Sequence, residues 1–565
     1  MKIVSKVRGV LINVTHQEMH SPGMLQIYLY LKSKGFDVEY ADINSDPDTV
    51  KSLKRRLKKS PEYFQWIGLH ADYQTKQQVR RFVTTLRSWN YHGHVSVGGV
   101  FPTMHPAEYF DGIEIDTVVL GAGELVVKNL LSLIERNEVW TKLPGIAWTK
   151  NGRLRTNPNI FKPVLWDEIQ EDPGLVSIHR NRKSVYINSS CIRSCPGTCS
   201  WCPDRFADRA AQKDKSGFHP RRVNYKPLER LKREIVSTVI EFNDAYDEAD
   251  KDTNGGGSIF FYILDNDAFS TPELVERNVR LAEWINGELN QIMGHFDFRW
   301  LLWGTARSIL SLPDNYLNVL KSSNLTFLVG IESFSTSQLK RLGKMSTREE
   351  NIAVCERLGL NAGILMIIWD PWISPEEMFE SWSTYQTILS CPKPPDYENI
   401  NKFLVLIPGT PMYKRFMQSG KKYRKDRFGA IASYELLDPV SRRLQSILSQ
   451  FVHYWTQLRG SQQSLCSDEV HPLSSQFKAL HLNKCTFCEI GKRKDVYLRF
   501  QEAILHIIKL AMNEERGWSD RAKEFAREEI RKLKNDIASF TIREQSLYSL
   551  SIDHAKHGSK RFNKL

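Results

Sequence analysis

The 565-residue sequence predicts an α/β chain in three parts. These are an N-terminal Rossmann-like (flavodoxin-like) parallel sheet, a (β/α)6 partial TIM barrel, and a mainly helical C-terminal domain. Three observations predict this. Over the first 135 residues short apolar runs alternate with amphipathic stretches, the mark of βαβ units and a parallel sheet. A second alternating series of six such repeats follows, between residues 184 and 406. From about residue 425 the apolar period becomes helical. The expected divisions are 1–140, a connector over 141–182, 183–424 and 425–565.

Taken in order, the first series has expected strands at Gly9 to Val14, Asp37 to Ala41, Gln65 to Leu69, His94 to Val97 and Thr117 to Leu120. Helices are expected at Gly23 to Lys34, where Gly35 ends the pattern, at the basic stretch Asp48 to Lys58, and at Lys76 to Trp89. Ligands of such sheets bind beyond the carboxyl ends of the strands, which directs attention to the loops after Val14, Leu69 and Val97. The last of these carries Gly98-Gly99, where backbone can approach a flat ligand that a Cβ would strike. The connector holds turn signals at Pro144-Gly145 and Asn151-Gly152.

In the second series the expected strands are Ser184 to Asn188, Ser258 to Leu264, Phe296 to Trp303, Thr326 to Ile331, Asn361 to Ile368 and Asn401 to Leu406. Helices are expected at Leu228 to Phe242, Pro272 to Asn290, Pro313 to Lys321, Ser335 to Leu342, Thr347 to Leu358 and Pro375 to Leu389. Asp244 to Gly257 reads as a surface insertion. Beyond 425 the clearest helices are Val496 to Asn513 and Ser519 to Ser539, and a basic tail follows His554.

Composition fits an ordinary folded protein, with 41% hydrophobic and 25% charged residues. The formal net charge of +13 permits an anionic ligand but says nothing of fold or chemistry. Its basic runs, Lys54 to Lys59 and Lys421 to Lys425, lack an aromatic stacking platform, so nucleic acid is not the expected partner. The N-terminal run reads as a first strand rather than a signal peptide. The longest apolar candidate, Ile364 to Trp372, is broken by Asp370-Pro371 and is too short to span a bilayer. A cytoplasmic location is expected.

Nine cysteines are present, four of them within twelve residues: Cys191, Cys195, Cys199 and Cys202. In a reducing compartment such crowding signals metal ligation rather than disulfides. The C-x3-C-x2-C triplet Cys195-Pro-Gly-Thr-Cys199-Ser-Trp-Cys202 follows the first strand of the second series. Three thiolates at this spacing can hold three irons of a 4Fe-4S cluster and leave the fourth open. A structural zinc site or an ordinary four-Cys cluster completed by Cys191 is the alternative. Cys485-Thr-Phe-Cys488, near Cys466, His471 and His481, forms a second C-x2-C that leaves a further zinc or auxiliary cluster open. Cys355 and Cys391 are read as core residues.

The stretch Arg193-Ser-Cys195-Pro-Gly-Thr-Cys199-Ser-Trp201-Cys202 resembles the signature of the radical S-adenosylmethionine (radical SAM) family, in which an aromatic residue precedes the third Cys. Further landmarks keep the same order. They are Leu264-Asp-Asn-Asp-Ala-Phe269, Arg307, Gly330-Ile-Glu332-Ser333 with Leu339 and Lys344 beyond, and Ile407-Pro-Gly-Thr-Pro411. Together they span about residues 180 to 415. The resemblance implies that Cys195, Cys199 and Cys202 hold the cluster, whose open iron takes the amino and carboxylate groups of SAM. One-electron reduction then yields a 5′-deoxyadenosyl radical that abstracts hydrogen from an unactivated carbon. It places SAM near Trp201, Glu332 and Ser333, with Asp267 and Arg307 as weaker candidates. For these side chains a helix cap or a surface ion pair is the plainer reading.

The N-terminal part resembles the cobalamin-binding domain that precedes one large radical SAM subclass. The matching landmarks are Pro22-Gly-Met-Leu25, Asp42, Gly98-Gly99-Val-Phe-Pro102-Thr103 and Gly121-Ala-Gly-Glu124. The resemblance implies cobalamin contacts at Gly23, Gly98, Gly99, Gly121 and Glu124. His20, in Glu18-Met-His20-Ser-Pro-Gly23, has two readings. It approximates the D-x-H-x-x-G loop whose His ligates cobalt, with Glu for Asp, and it also fits a helix start with no protein ligand, which is favoured. His16 and His70, at strand ends, call for the same caution.

The two resemblances together imply a cobalamin-dependent radical SAM methyltransferase. It would act on an unactivated carbon of a small-molecule or peptide substrate and draw electrons from a donor such as flavodoxin or ferredoxin. One SAM would yield the radical, methylcobalamin the methyl group, and a second SAM would restore methylcobalamin. A non-methylating member performing ring contraction, cyclisation or oxidation is the runner-up. An RNA-modifying methylthiotransferase is disfavoured because no Cys precedes Cys191. A sensor without turnover is disfavoured by the intact Cys triplet.

Overall fold

Strands buried on both faces of a parallel sheet read as near-continuous apolar runs, and the first sheet is built from such runs. The computed structural model describes residues 7–14, 22–43, 47–72, 75–160, 164–171, 186–188, 198–203, 225–247, 258–263, 265, 267–292, 297–388, 403–425, 430–463, 490–513, 517–532 and 535. The chain divides into two compact units. The first comprises 1–332, 339–366 and 405–434, and the second 333–338, 367–404 and 435–565.

In the first unit, β1 (Arg8–Asn13), β2 (Asp37–Asp42), β3 (Trp66–His70), β4 (His94–Gly98) and β5 (Thr117–Val119) pair in parallel in the order β2-β1-β3-β4-β5. This is the flavodoxin-like order, and its direction of winding reverses between β1 and β3. Helices Pro22–Ser33, Pro47–Lys59, Lys76–Ser88 and Glu124–Glu135 fall between or after these strands. The sheet buries Val10, Ile12, Ile67, Leu69, Val95 and Val97, and full burial of side chains of this size contributes about 1.5–3 kcal/mol each.

The first sheet continues past the expected boundary at 140. Within the stretch read as a connector, β6 (Ile146–Lys150) and β7 (Arg153–Asn157) form an antiparallel hairpin, and β6 pairs with β5. Asn151 and Gly152 turn it with φ of 51° and 70°, the two positive values a type I′ turn requires. The hairpin's outer strand is largely exposed, so it carries no apolar alternation to mark it.

A second sheet in this unit has five parallel strands in the order β12-β11-β10-β9-β8. They are β8 (Tyr186–Asn188), β9 (Ser258–Ile263), β10 (Asp297–Gly304), β11 (Leu325–Glu332) and β12 (Ala362–Met366). Helices Leu228–Asp247, Pro272–Trp284, Asp314–Ser322 and Arg348–Leu358 lie between them in sequence, giving the βα repeat of a partial barrel. The sixth repeat is reduced: within 401–406 the described pairing is limited to isolated bridges, Phe403 with Trp369 and Leu406 with Ile431. A small antiparallel pair, β13 (Tyr423–Lys425) and β14 (Ile431–Tyr434), stands where helical structure was expected to begin.

The second unit is mainly helical, with Pro375–Ile388, Pro439–Gln463, Ile490–Met512 and a helical stretch over 518–532. Lys509 Nζ sits 5.4 Å from the Phe379 ring centre, and Arg499 pairs with Glu529 at 3.6 Å. Trp369 and Asp370 are fully buried, and Asp370 accepts from Gln338 at 3.0 Å, so Trp369 is a packing residue. Cys355, in the first unit, is buried as expected, which pushes its thiol pKa up to about 12. No helix among the described residues is long and apolar enough to cross a membrane.

Candidate functional site

The winding reversal puts the carboxyl ends of β1 and β3 side by side, at the buried Asn13 and at His70. His70 pairs in register with Gly98, and the Ala71 N–H donates to Gly98 O at 2.8 Å. Gly99 adopts φ 132° and ψ 177°, a region essentially restricted to glycine. A Cβ on Gly99 would lie 2.1 Å from Ala71 O and 3.4 Å from His70 Cδ2. Thr103 Oγ1 donates to Gly99 O at 2.7 Å and accepts from the Gly121 N–H at 3.0 Å, tying together the loops after β4 and β5. Asn159 Nδ2 donates to Leu120 O at 2.8 Å and Ala122 O at 3.2 Å, bracing the same turn from the hairpin side. Glu124 is buried at the start of its helix, whereas Gly23 is exposed with open space around its Cα. The backbone of Asp42 closes β2 opposite Asn13. His16 and His20 lie outside the described residues.

Among the described residues, enclosed His70 Nδ1 has no hydrogen-bond partner. Burial holds the imidazole below its ordinary pKa, with Asp72 opposing more weakly. The ring is therefore neutral near pH 7.

The Cys-bearing loop is pinned against the 341–343 turn. Thr198 Oγ1 donates to Gly343 O at 2.7 Å, the Ser200 N–H to Leu342 O at 2.9 Å, and Ser200 Oγ to Arg341 O at 3.1 Å. Gly343, at φ 70°, leaves room for this approach, since a Cβ there would lie 2.8 Å from Thr198 O. Cys199 and Cys202 are half-buried in the loop, as is Trp201, whose enclosed Nε1 has no hydrogen-bond partner among the described residues. Cys191 and Cys195 lie outside the described residues, as do Cys391, Cys466, His471, His481, Cys485 and Cys488.

One residue beyond that pin, Lys344 Nζ reaches Glu332 Oε1 at 3.4 Å, both side chains being one-tenth exposed. Glu332 ends β11 with φ 63°, just past a register shift in the β11–β12 pairing. A non-glycine residue held there is strained. Burial raises its carboxyl pKa, and the Lys344 charge opposes the rise. The Cys199–Cys202 loop, the 341–344 turn and Glu332 therefore converge.

The other SAM candidates, Ser333 and the weaker Asp267 and Arg307, each have partners within the protein. Asp267 is buried and accepts from Ser308 Oγ at 2.7 Å and Thr305 Oγ1 at 3.1 Å, joining the β9 loop to the cap of the helix after β10. Burial raises its pKa against these hydrogen bonds. Arg307, 57% exposed, donates to Glu350 Oε1 at 3.0 Å and to Met345 O at 2.8 Å, a surface ion pair of the kind the plainer reading describes. Ser333 Oγ hydrogen-bonds Ser381 Oγ at 2.8 Å and accepts from the Ser335 N–H at 2.9 Å within the second unit.

Residues 407–412 touch both sheets' loops. His105 Nε2 hydrogen-bonds Pro408 O at 2.8 Å, and Ile407 packs against the core of the first sheet. Four residues on, the Met412 N–H donates to Ser200 O at 3.1 Å. Sequence reasoning singled out Ile407 to Pro411 without this role and missed His105 and Asn159. No local signal marks a side chain whose partners lie 303 and 39 positions away.

These features suit the implied cofactors. A flat ligand matches the bare backbone at Gly98-Gly99 beside an unsatisfied buried nitrogen, and soft thiolates at Cys199 and Cys202 match iron–sulfur ligation.

Residues 8–131 match the B12 binding domain family. The chain is 26% identical over 215 residues to an anaerobic magnesium-protoporphyrin IX monomethyl ester cyclase from Synechocystis, and the match covers 36% of this chain and 42% of that relative. The fold is similar to that of OxsB, a cobalamin-dependent S-adenosylmethionine radical enzyme solved with aqua-cobalamin and S-adenosylmethionine bound. That likeness covers 98% of this chain and 81% of OxsB, with a TM-score of 0.65 and 15% identity. It is also similar to the radical S-adenosylmethionine methyltransferase TsrM from Kitasatospora setae, solved with cobalamin and a [4Fe-4S] cluster. There the likeness covers 89% of this chain and 99% of TsrM, with a TM-score of 0.57 and 12% identity.

Proposed function

From a B12-binding domain joined to the fold of cobalamin-dependent radical SAM enzymes, we propose that this chain is a cobalamin-dependent radical SAM enzyme. We further propose that it methylates an unactivated carbon of a small-molecule or peptide natural-product precursor. The observation that carries this reading is the convergence of the Cys199–Cys202 loop with the Glu332–Lys344 pair, linked through residues 407–412 to the glycine-lined edge of the B12-binding domain. Bound together, the cofactors supply a one-electron route from SAM to a substrate radical and a methyl group to quench it.

The chain's own residues hold and orient. Cys195, Cys199 and Cys202 ligate the cluster, with the Thr198 and Ser200 hydrogen bonds fixing their loop. Trp201 offers its N–H to the adenosine end of SAM. Glu332 would receive the SAM amino group, and Lys344, paired with Glu332 at 3.4 Å, would take its carboxylate. Gly98, Gly99, Gly121 and Glu124 shape the edge against which cobalamin lies, with Gly23 at its rim. Asp267, Arg307 and Ser333 act in this proposal by positioning the strand-end loops. An electron donor such as flavodoxin or ferredoxin, and a cytoplasmic setting, complete the reading.

Anaerobic reconstitution with iron, sulfide, cobalamin and methyl-labelled SAM tests it. One 5′-deoxyadenosine and one S-adenosylhomocysteine per labelled methyl transferred are expected. Product formed without S-adenosylhomocysteine or label sinks the methylation step. It would favour the second reading, a cyclisation or other ring chemistry with the same cofactors, which the similarity to a cyclase supports.

A further inference from the structure

The second basic run of the sequence has no part in holding the cofactors, and the structure sets it beside the loop that carries Cys199 and Cys202. We propose that the face formed by Lys414, Arg415 and Lys421 to Lys425 docks an acidic one-electron carrier protein, the reductant of the cluster. The inference rests on the radical SAM reading above and adds to it the surface through which electrons arrive.

Position is the first observation. Helix Pro411–Gln418 starts against the Cys-bearing loop, where the Met412 N–H donates to Ser200 O at 3.1 Å. Lys414 and Arg415 are exposed within one turn of that contact. The loop itself reaches the surface, with Thr198 exposed and Cys199 and Cys202 half-buried. The 341–343 turn that receives Thr198 and Ser200 is preceded by a further exposed cation, Lys340. A carrier seated here brings its redox centre up to the thiolate-bearing loop.

Charge is the second. Residues 411–425 hold six cations, Lys414, Arg415, Lys421, Lys422, Arg424 and Lys425, and no Asp or Glu. All but Lys421 are exposed. Among the described residues, Lys414, Lys421, Lys422, Arg424 and Lys425 make no ion pair. Exposed cations elsewhere in this unit, such as Arg233 and Arg307, sit against Glu171 and Glu350. A field of one sign steers a partner of the other sign and fixes how it docks.

The third is that the face is preformed and partly apolar. Phe416 is fully buried, with its ring centre 6.2 Å from that of Tyr423 and 5.2 Å from that of Tyr434. Gly420 turns the chain with φ 65°, and β13 pairs with β14. Met417 and Tyr423, 38% and 40% exposed, stand among the cations, and Arg, Met and Tyr are enriched where proteins meet. A nucleic acid would call for several stacking rings, whereas Tyr423 is the one exposed ring in this stretch. In the transfer itself the carrier gives up one electron and the cluster accepts it, and no atom or proton crosses the contact.

The test uses the full chain reconstituted anaerobically with iron, sulfide and cobalamin, mixed with a reduced flavodoxin and, in a parallel arm, a reduced acidic ferredoxin. Carbodiimide cross-linking, which joins carrier carboxylates to lysines, is expected to map to Lys414, Lys421, Lys422 and Lys425. Carrier oxidation followed by stopped flow is expected to slow as salt rises, since the screening length falls from about 10 Å at 0.1 M to about 3 Å at 1 M. Lys422→Glu/Arg424→Glu/Lys425→Glu is expected to slow it about tenfold or more at low salt, the scale of electrostatic steering, and to flatten the salt dependence. Arg55→Glu/Lys58→Glu/Lys59→Glu, the same change of charge on the first basic run, is expected to leave the rate near that of the unsubstituted protein. Reduced methyl viologen, too small to need a docking face, is expected to support SAM cleavage in both variants as in the unsubstituted protein. If the 422–425 variant loses iron, its Gln counterpart and the cross-link map of the unsubstituted protein carry the test. Cross-links confined to other lysines, salt-independent oxidation of both carriers, or equal slowing by the two triple variants would overturn the docking face while leaving the radical SAM reading intact. Failure of the unsubstituted chain to cleave SAM with reduced viologen would overturn both.

Discussion

Gly98 and Gly99 are neighbours in one motif, yet the structure assigns them unequal burdens, and alanine at each position measures the difference. A Cβ on Gly98 meets Val119 Cβ at 3.6 Å, an ordinary contact. A Cβ on Gly99 falls 2.1 Å from Ala71 O, roughly an ångström inside any real contact, and the atom it strikes is backbone. The Gly99 conformation alone costs another residue about 1–3 kcal/mol, which is roughly a 5- to 150-fold shift in a local equilibrium. The clash adds to that, because relief requires β3 and β4 to separate where the Ala71 N–H bonds Gly98 O.

Hydrogen exchange at the Ala71 amide is the direct assay, with bound cobalamin as the second readout. Gly99→Ala should speed exchange by at least the lower end of that range and reduce cobalamin retention. Gly98→Ala should leave Ala71 exchange near that of the unsubstituted protein and act, if at all, on cobalamin alone. Equal exchange in the two variants, or faster exchange in Gly98→Ala, would refute the reasoning.

Three further outcomes are expected. Gly343→Ala, whose Cβ meets Thr198 O at 2.8 Å in a positive-φ turn, should displace the cluster loop and lower iron content after anaerobic reconstitution; full iron loading would count against the pinning role. Glu332 holds its proton to higher pH when folded than when unfolded, because burial raises its pKa. The stability linked to that group is therefore full below the ordinary glutamate pKa and is lost as pH rises through the folded value. Denaturant midpoints across that window should slope downward in the unsubstituted protein and more weakly in Glu332→Gln, and parallel slopes would contradict this. Arg307→Ala should cost at most about 1 kcal/mol, as expected for an exposed ion pair. By isothermal titration it should leave SAM affinity unchanged, and a loss of roughly tenfold would restore a direct SAM role.

Much of the architecture was legible because burial on both faces writes itself as apolar runs, as in Val10 to Val14 and Leu325 to Ile331. The hairpin at 146–157 was not, since its outer strand is exposed and polar, although Asn151-Gly152 marked its turn. The sixth repeat has an apolar sequence, but its described part makes bridges rather than a paired strand. At the site, Glu332 was legible as the end of an apolar strand and Lys344 as a landmark beyond it, while their pairing came only from the fold. Arg307 shows the converse: a charge at a strand end looks the same in sequence whether it meets a ligand or Glu350. The contacts of Ser200 with Arg341 and of His105 with Pro408 span 141 and 303 residues, distances over which no periodicity carries information.

The segment 407–412 bears on how such a protein can be taken apart. Anyone grafting this B12-binding domain onto another catalytic core would cut near residue 160 and lose the far piece of chain on which His105 leans. The graft would need that distant hexapeptide to travel with it, or a replacement complementary to Phe101–His105. Lengthening the stretch between Pro408 and Met412 by a residue or two would act as a spacer, moving the loops of the first sheet against the Ser200 loop. Variation in that short stretch is therefore a lever on the spacing of those two loops.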